Sequence, residues 1–156
     1  MNPTSKKVLV VDDDRNIVEL LMMVLQDDGY QVVTAGDGNQ AVHSALQHHP
    51  DAIILDVMMP VMDGWETCEH LLSHEQTAGI PVIFLTARTG NRDQLRGWYR
   101  GCFDYITKPF EVEQLLKCVS KATSARDASS HHAWESLRGE RIAVLEGTDD
   151  GDHGQV

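Results

Sequence analysis

The sequence predicts an α/β fold: a five-stranded parallel sheet with helices on both faces. Three observations predict it. Five short apolar runs recur along the chain, each too short to make a helix of its own. Between them lie stretches whose apolar residues return at helical spacing, so strands and helices alternate. Several of the runs lead into polar residues and turn signals, the pattern of buried strands that deliver side chains to one edge of a sheet.

The elements follow in order. Lys7 to Val11 reads as the first strand, and Arg15 to Asp28 as a helix with Ile17, Leu20, Leu21, Val24 and Leu25 in one stripe. Gly29 stands where a helix C-terminus favours it. Tyr30 to Ala35 is the second strand, and Asp37-Gly38 turns into a helix over Asn39 to His48, with Ala41, Val42, Ala45 and Leu46 inward. Ala52 to Leu55 is the third strand. Trp65 to His74 is a helix with Trp65, Cys68, Leu71 and Leu72 inward. Pro81 to Leu85 is the fourth strand, Arg92 to Arg100 a short helix, Phe103 to Ile106 the fifth strand, and Glu111 to Thr123 the last helix. Asp14 reads as the N-cap of the first helix, and Asp63-Gly64 as a turn leading into the third.

Composition bounds the function. The chain has 156 residues, 42% of them hydrophobic, enough for one domain with a substantial core. The formal net charge of -11 argues against direct nucleic-acid binding and favours cations or basic partners. Cys68, Cys102 and Cys118 form no CxxC pair and read as reduced thiols of a cytoplasmic protein. The segment from Met1 to Lys7 lacks the apolar stretch of a secretory signal, and the apolar runs are too short for membrane insertion. After residue 124 the chain turns polar, acidic and rich in small residues. Residues 125–156 therefore read as a largely disordered extension to a domain over residues 1–124.

The chemistry lies at the sheet edge. Asp12 with Asp13, then Asp56, Thr86 and Lys108, come from four separate segments, and all fall just past strand ends. Clustered carboxylates repel one another, and a hard divalent cation removes that problem. Magnesium takes a few carboxylates together with water and phosphate oxygens. Asp12 and Asp13 are the expected ligands, with one oxygen of Asp56. The other Asp56 oxygen is free to attack phosphorus, Lys108 to neutralise the transferred group, and Thr86 to donate a hydrogen bond to it. Ala87 is small and leaves room for a donor.

These residues carry a resemblance. VLVVDDD, IILDVMMPVMDGWE, PVIFLTA and DYITKPF, in that order over roughly residues 6–123, resemble the response-regulator receiver domains of two-component signalling. The resemblance implies a flavodoxin-like (CheY-like) sheet of strand order 2-1-3-4-5 and a cis Lys108-Pro109 bond. It implies that Asp56 accepts phosphate from a sensor histidine kinase, a phosphotransfer protein or a small phosphodonor. Magnesium is then held by Asp12, Asp13, Asp56 and the Met58 backbone carbonyl. Thr86 and Tyr105 become the switch pair, while Met58 and Arg88 tune phosphate lifetime. Methionine cannot orient an attacking water, so slow loss of phosphate is expected. The switch would reshape the face formed by the fourth helix, fifth strand and fifth helix.

The implied protein is a stand-alone phosphorylation switch, a phosphoacceptor rather than a turnover enzyme. It would act on an unknown downstream protein partner, as a monomer or weak dimer. In one alternative the C-terminal segment docks on the switch face through Trp134, Leu137 and Ile142 to Leu145 and gates partner binding. A different class, the haloacid-dehalogenase-type phosphatases, would use Asp12 as nucleophile, with Thr86, Lys108 and Asp149-Asp150 following. Arg88, Arg92, Arg96 and Arg100 recur every four residues, either as a solvated helix face or as a partner-binding ridge. Asp104 could pair across a symmetric dimer, but Cys118 stands where receivers that dimerise this way carry a basic residue.

Overall fold

A computed structural model describes residues 5–87 and 103–125. Among them are five strands, β1 (Lys7–Val11), β2 (Gln31–Ala35), β3 (Ala52–Asp56), β4 (Val82–Thr86) and β5 (Asp104–Thr107). Four helices accompany them: α1 (Arg15–Asp27), α2 (Gly38–His48), α3 (Gly64–Ser73) and α4 (Val112–Ala125). The sheet is parallel, in the order β2-β1-β3-β4-β5. The helix expected over residues 92–100, with its arginine ridge, lies outside the described residues, as do Cys102 and the segment beyond residue 125.

The sheet separates two apolar layers. Leu9, Val11, Ile53, Leu55 and Phe84 point to the face covered by α2 and α3, with Ala41, Ala45, Trp65, Cys68 and Leu71. Val8, Val10, Ile54, Ile83, Leu85 and Ile106 point to the face covered by α1 and α4, with Leu21, Leu25, Leu115 and Val119. Strand alternation produces this sorting, since neighbouring side chains leave a strand on opposite faces. Each fully buried large side chain contributes about 1.5–3 kcal/mol. Trp65 and Phe84 meet with ring centroids 4.5 Å apart.

Helix boundaries follow local chemistry. Asp14 caps α1 as expected, its carboxylate accepting from the Asn16 amide at 2.9 Å. Asp37 caps α2 and Asp63 caps α3 in the same manner. Gly29 follows α1 with a positive φ of 97°. Two expectations are corrected. Leu20 is 40% exposed rather than inward, because Leu21 and Leu25 fill the sheet-facing stripe and Leu20 lies one position round the helix. β3, β4 and β5 each end one residue later than expected, so Asp56, Thr86 and Thr107 are the last residues of their strands. No described helix is long and apolar enough to cross a membrane.

Candidate functional site

The carboxyl ends of three strands place the reactive groups. β1 ends at Val11, and Asp12 follows, only 2% exposed. β3 ends in Asp56, 4% exposed. β1 and β3 are hydrogen-bonded neighbours, which sets these two acids side by side. Asp13 is exposed beside them, and the three carboxylates bring ligand oxygens within 4.8 Å of one another. Lys108 comes from just beyond β5, where its main-chain N–H donates to the Thr86 carbonyl at 2.7 Å. The following Lys108-Pro109 bond is cis, as the resemblance implied. The Lys108 ammonium donates to Asp12 Oδ2 at 2.9 Å and to Asp56 Oδ1 at 3.3 Å. Asp12 Oδ1 accepts from the main-chain amide of Asp14 at 2.9 Å.

Burial dominates the electrostatics. It pushes the Asp56 carboxyl up to about 6, and the Asp12 charge pushes the same way. The Lys108 charge, its hydrogen bond and the Met58 main-chain N–H act in opposition without cancelling the rise. Lys108 itself is drawn up. Burial opposes its charge, but the bond to Asp12 and the charges of Asp56 and Asp12 outweigh burial. Asp12, Asp13 and Asp56 together carry more negative charge than one ammonium balances. Three clustered hard oxygen donors, two of them buried, suit a small hard divalent cation.

The remaining expected residues surround this centre. Thr86 is fully buried at the tip of β4, and Ala87 beyond it is exposed. Tyr105 lies opposite Phe84 in the β4–β5 register, half-buried against the same core layer. Alternation along β4 puts Thr86 on the Phe84 face, so Thr86 and Tyr105 share a side of the sheet. Met58 is 54% exposed, two residues past Asp56. Arg88 lies outside the described residues. The Asp104 carboxylate accepts from the Tyr105 amide at 2.7 Å and from the Cys118 thiol at 3.3 Å. Burial and the Asp104 charge push that thiol well above its ordinary range, which disfavours the thiolate.

Two participants escaped the sequence reading. The Asp14 amide fixes Asp12 through a main-chain group that no residue type announces. Gly64 packs so closely on the backbone of Asp56 and Val57 that a Cβ there would fall on the Asp56 carbonyl oxygen. The Asp-Gly pair was visible, but as a turn signal. The phosphatase alternative asks Asp12 to be the nucleophile; Asp12 accepts from the Asp14 amide and from the Lys108 ammonium.

Comparison with known proteins follows the same line. The family model described as response regulator receiver domain matches residues 8–120. The DNA-binding dual master transcriptional regulator RpaA of Synechocystis is 43% identical over 113 residues, covering 72% of this chain and 47% of that protein. The crystal structure of the Vibrio cholerae chemotaxis protein CheY4 superposes with a TM-score of 0.73 at 37% identity, covering 76% of this chain and 99% of that one. The receiver domain of sensor histidine kinase PA1611 from Pseudomonas aeruginosa, solved with a magnesium ion coordinated in its active-site cleft, gives 0.72 at 30% identity, covering 78% of this chain and 99% of that one. The chain spans about half the length of the curated relatives it matches. The expected absence of a nucleic-acid partner is overturned by relatives such as RpaA, which is named for DNA binding. That expectation rested on the net charge of a chain that spans about half the length of those relatives.

Proposed function

The chain belongs to the response-regulator receiver family, and from that premise we propose that it is a phosphorylation-controlled signalling switch whose phosphoacceptor is Asp56. The observation that carries the reading is the buried Asp56 carboxylate at the tip of β3, with Lys108 and two further carboxylates around it. A histidine kinase or phosphotransfer protein is the proposed donor. An Asp56 oxygen attacks phosphorus, the phosphorus–nitrogen bond of the donor phosphohistidine breaks, and the imidazole departs as an acyl phosphate forms. Asp12, Asp13 and Asp56 would hold magnesium, with the Met58 carbonyl as a further oxygen ligand. Magnesium there supplies charge neutralisation for the phosphoryl oxygens.

The chain's own groups do the rest. Lys108 shifts its ammonium from Asp12 toward the new phosphoryl group. Asp14 holds the Asp12 carboxylate in place through its amide. The Thr86 hydroxyl donates to a phosphoryl oxygen, and the Tyr105 ring, on the same side of the sheet, moves into the space released. Phosphate then biases two conformations of the surface around β5, which requires only a few kcal/mol. Asp56 is an acceptor used once per signal, with slow loss of phosphate and no turnover.

Transfer from a phosphorylated histidine-kinase domain tests the proposal. The full chain should gain one acid-labile, hydroxylamine-sensitive phosphoryl group in magnesium and none in EDTA, and Asp56→Asn should gain none. Label that persists in the folded Asp56→Asn protein would remove the proposal.

A further inference from the structure

A cavity of about 350 Å³ opens past the ends of β1 and β2, a size that suits a small molecule. Asp12 and Asp13 line it, together with Arg15 at the start of α1, Thr34 in β2, and Gly36 and Gln40 beyond β2. Asp12 belongs to both places. In the sheet order β2-β1-β3, the cavity lies on one side of Asp12 and Asp56 on the other. Neighbouring strands run about 4.8 Å apart, so a ligand of a few bonds reaches from one to the other. The walls are held in place. The Asp12 N–H donates to the Ala35 carbonyl at 3.3 Å. Gln40 Oε1 accepts from the Gly36 N–H at 3.3 Å, and Gln40 Nε2 donates to Asp37 at 3.1 Å.

Arg15 is the charged group of this cavity that has no other task. It is exposed, and its guanidinium makes no hydrogen bond or ion pair among the described residues. A cation at the first residue of a helix opposes the helix dipole, and no acidic residue stands in the first turn of α1 to offset it. Helix formation therefore does not account for an arginine here. Lys108, at the same edge of the sheet, is engaged by Asp12 and Asp56. With a divalent cation balancing Asp12 and Asp13, the Arg15 guanidinium is the uncommitted positive group, and its planar fork matches a carboxylate. The Thr34 hydroxyl lines the same cavity and offers one more donor.

We infer that this cavity is a carboxylate subsite for small phosphodonors, in which Arg15 receives a carboxylate borne by the leaving group while the phosphoryl group meets Asp56. The inference rests on the reading of Asp56 as the phosphoacceptor, and it names the small-donor class that the site prefers: acyl phosphates of dicarboxylic acids. An Asp56 oxygen attacks phosphorus, and the bond from phosphorus to the acyl oxygen breaks. The electron pair of that bond stays on the acyl oxygen, so the leaving group departs as a dicarboxylate and no proton moves. Arg15 touches no reacting atom; it sets specificity at the far end of the donor. An acyl phosphate without the second carboxylate leaves the guanidinium unpaired and binds less tightly.

Binding of two stable phosphonates to the full chain in magnesium tests the inference. The first, 4-phosphonobutyrate, carries the carboxylate; the second, butylphosphonate, lacks it. Affinities are read from the nitrogen–proton resonances of the backbone amides and the arginine side chains. The wild type should bind 4-phosphonobutyrate about five-fold more tightly, with the Arg15 Nε–H resonance shifting for that ligand alone. In Arg15→Gln the preference should fall below about two-fold. Comparing the ratio within each protein removes any change in magnesium affinity that the substitution causes. Equal affinities in the wild type overturn the inference. So does a preference that Arg15→Gln retains, which would place the carboxylate on the metal. Beryllofluoride, which carries no carboxylate, tests the acidic site separately. A wild type that takes up beryllofluoride but shows no preference between the phosphonates loses only the subsite, whereas failure to take it up in magnesium counts against the phosphoacceptor reading itself.

Discussion

The Lys108 ammonium sits closer to Asp12 than to Asp56, at 2.9 Å against 3.3 Å. The cation proposed to meet a phosphoryl group on Asp56 is thus stored mainly on the neighbouring carboxylate. There it partly balances the clustered charges of Asp12 and Asp56.

Removing that cation should therefore make the metal more important. Lys108→Met leaves Asp12 and Asp56 buried without their counter-charge, which should cost about 1–3 kcal/mol in EDTA. Magnesium should restore more stability to the variant than to the wild type, because the ammonium no longer competes for Asp12. Urea denaturation with and without magnesium measures both effects; equal magnesium stabilisation of the two proteins would contradict this account.

The raised carboxyl of Asp56 gives a pH dependence with a definite sign. Its value in the folded chain is about 6 against an ordinary 3.8, so the folded state binds the proton more tightly than the unfolded state. Stability from this group is present at low pH, falls as pH rises between those values, and stays low above about 6. The charged form costs on the order of 2–3 kcal/mol. In EDTA, Asp56→Asn should be more stable than the wild type at about pH 7.5, and the difference should shrink toward zero at about pH 4. A stability difference that does not change with pH would show that burial does not penalise the Asp56 charge.

Gly64 should tolerate no side chain. An added Cβ meets the Asp56 carbonyl oxygen and lies 2.8 Å from the Val57 Cα, and backbone cannot move aside as a side chain can. Gly64→Ala should lose about 1–3 kcal/mol and displace the Asp56 backbone, weakening magnesium binding as well. Gly38→Ala, facing the side chains of Met62 and Thr67, is the milder change. Thermal melts and calorimetry of the two variants check the order.

Thr86 and Tyr105 should separate binding from readout. Thr86→Ala should retain magnesium affinity, bind beryllofluoride about ten-fold more weakly, and lose the change in Tyr105 ring resonances that beryllofluoride induces in the wild type. An intact Tyr105 response in Thr86→Ala would break the proposed coupling.

Most of the fold was legible because parallel strands buried on both faces read as continuous apolar runs. Val8 to Val11 and Ile53 to Leu55 are of this kind, and their polar successors Asp12 and Asp56 meet at the carboxyl edge of the sheet. Leu20 was misjudged because helical periodicity identifies a stripe but not its margins, and the sheet has room for Leu21 and Leu25. The Asp14 amide and the positive φ of Val61, 68°, were invisible for another reason. A main-chain hydrogen bond and a positive φ depend on where neighbouring segments force the backbone, and Val61 is a residue type that argues against such a φ. The nucleic-acid expectation failed because charge was read as a property of the whole protein, when the chain spans about half of its relatives.

The most direct test of the central claim is identification of the phosphorylated residue. The full chain is treated with a small acyl phosphate donor and magnesium, the product is reduced with borohydride, and the modified residue is located by peptide mass spectrometry. The account predicts that Asp56, and no other residue, is converted to homoserine. Modification at Asp12, or a stable phosphate on serine, threonine or histidine with Asp56 untouched, would contradict it.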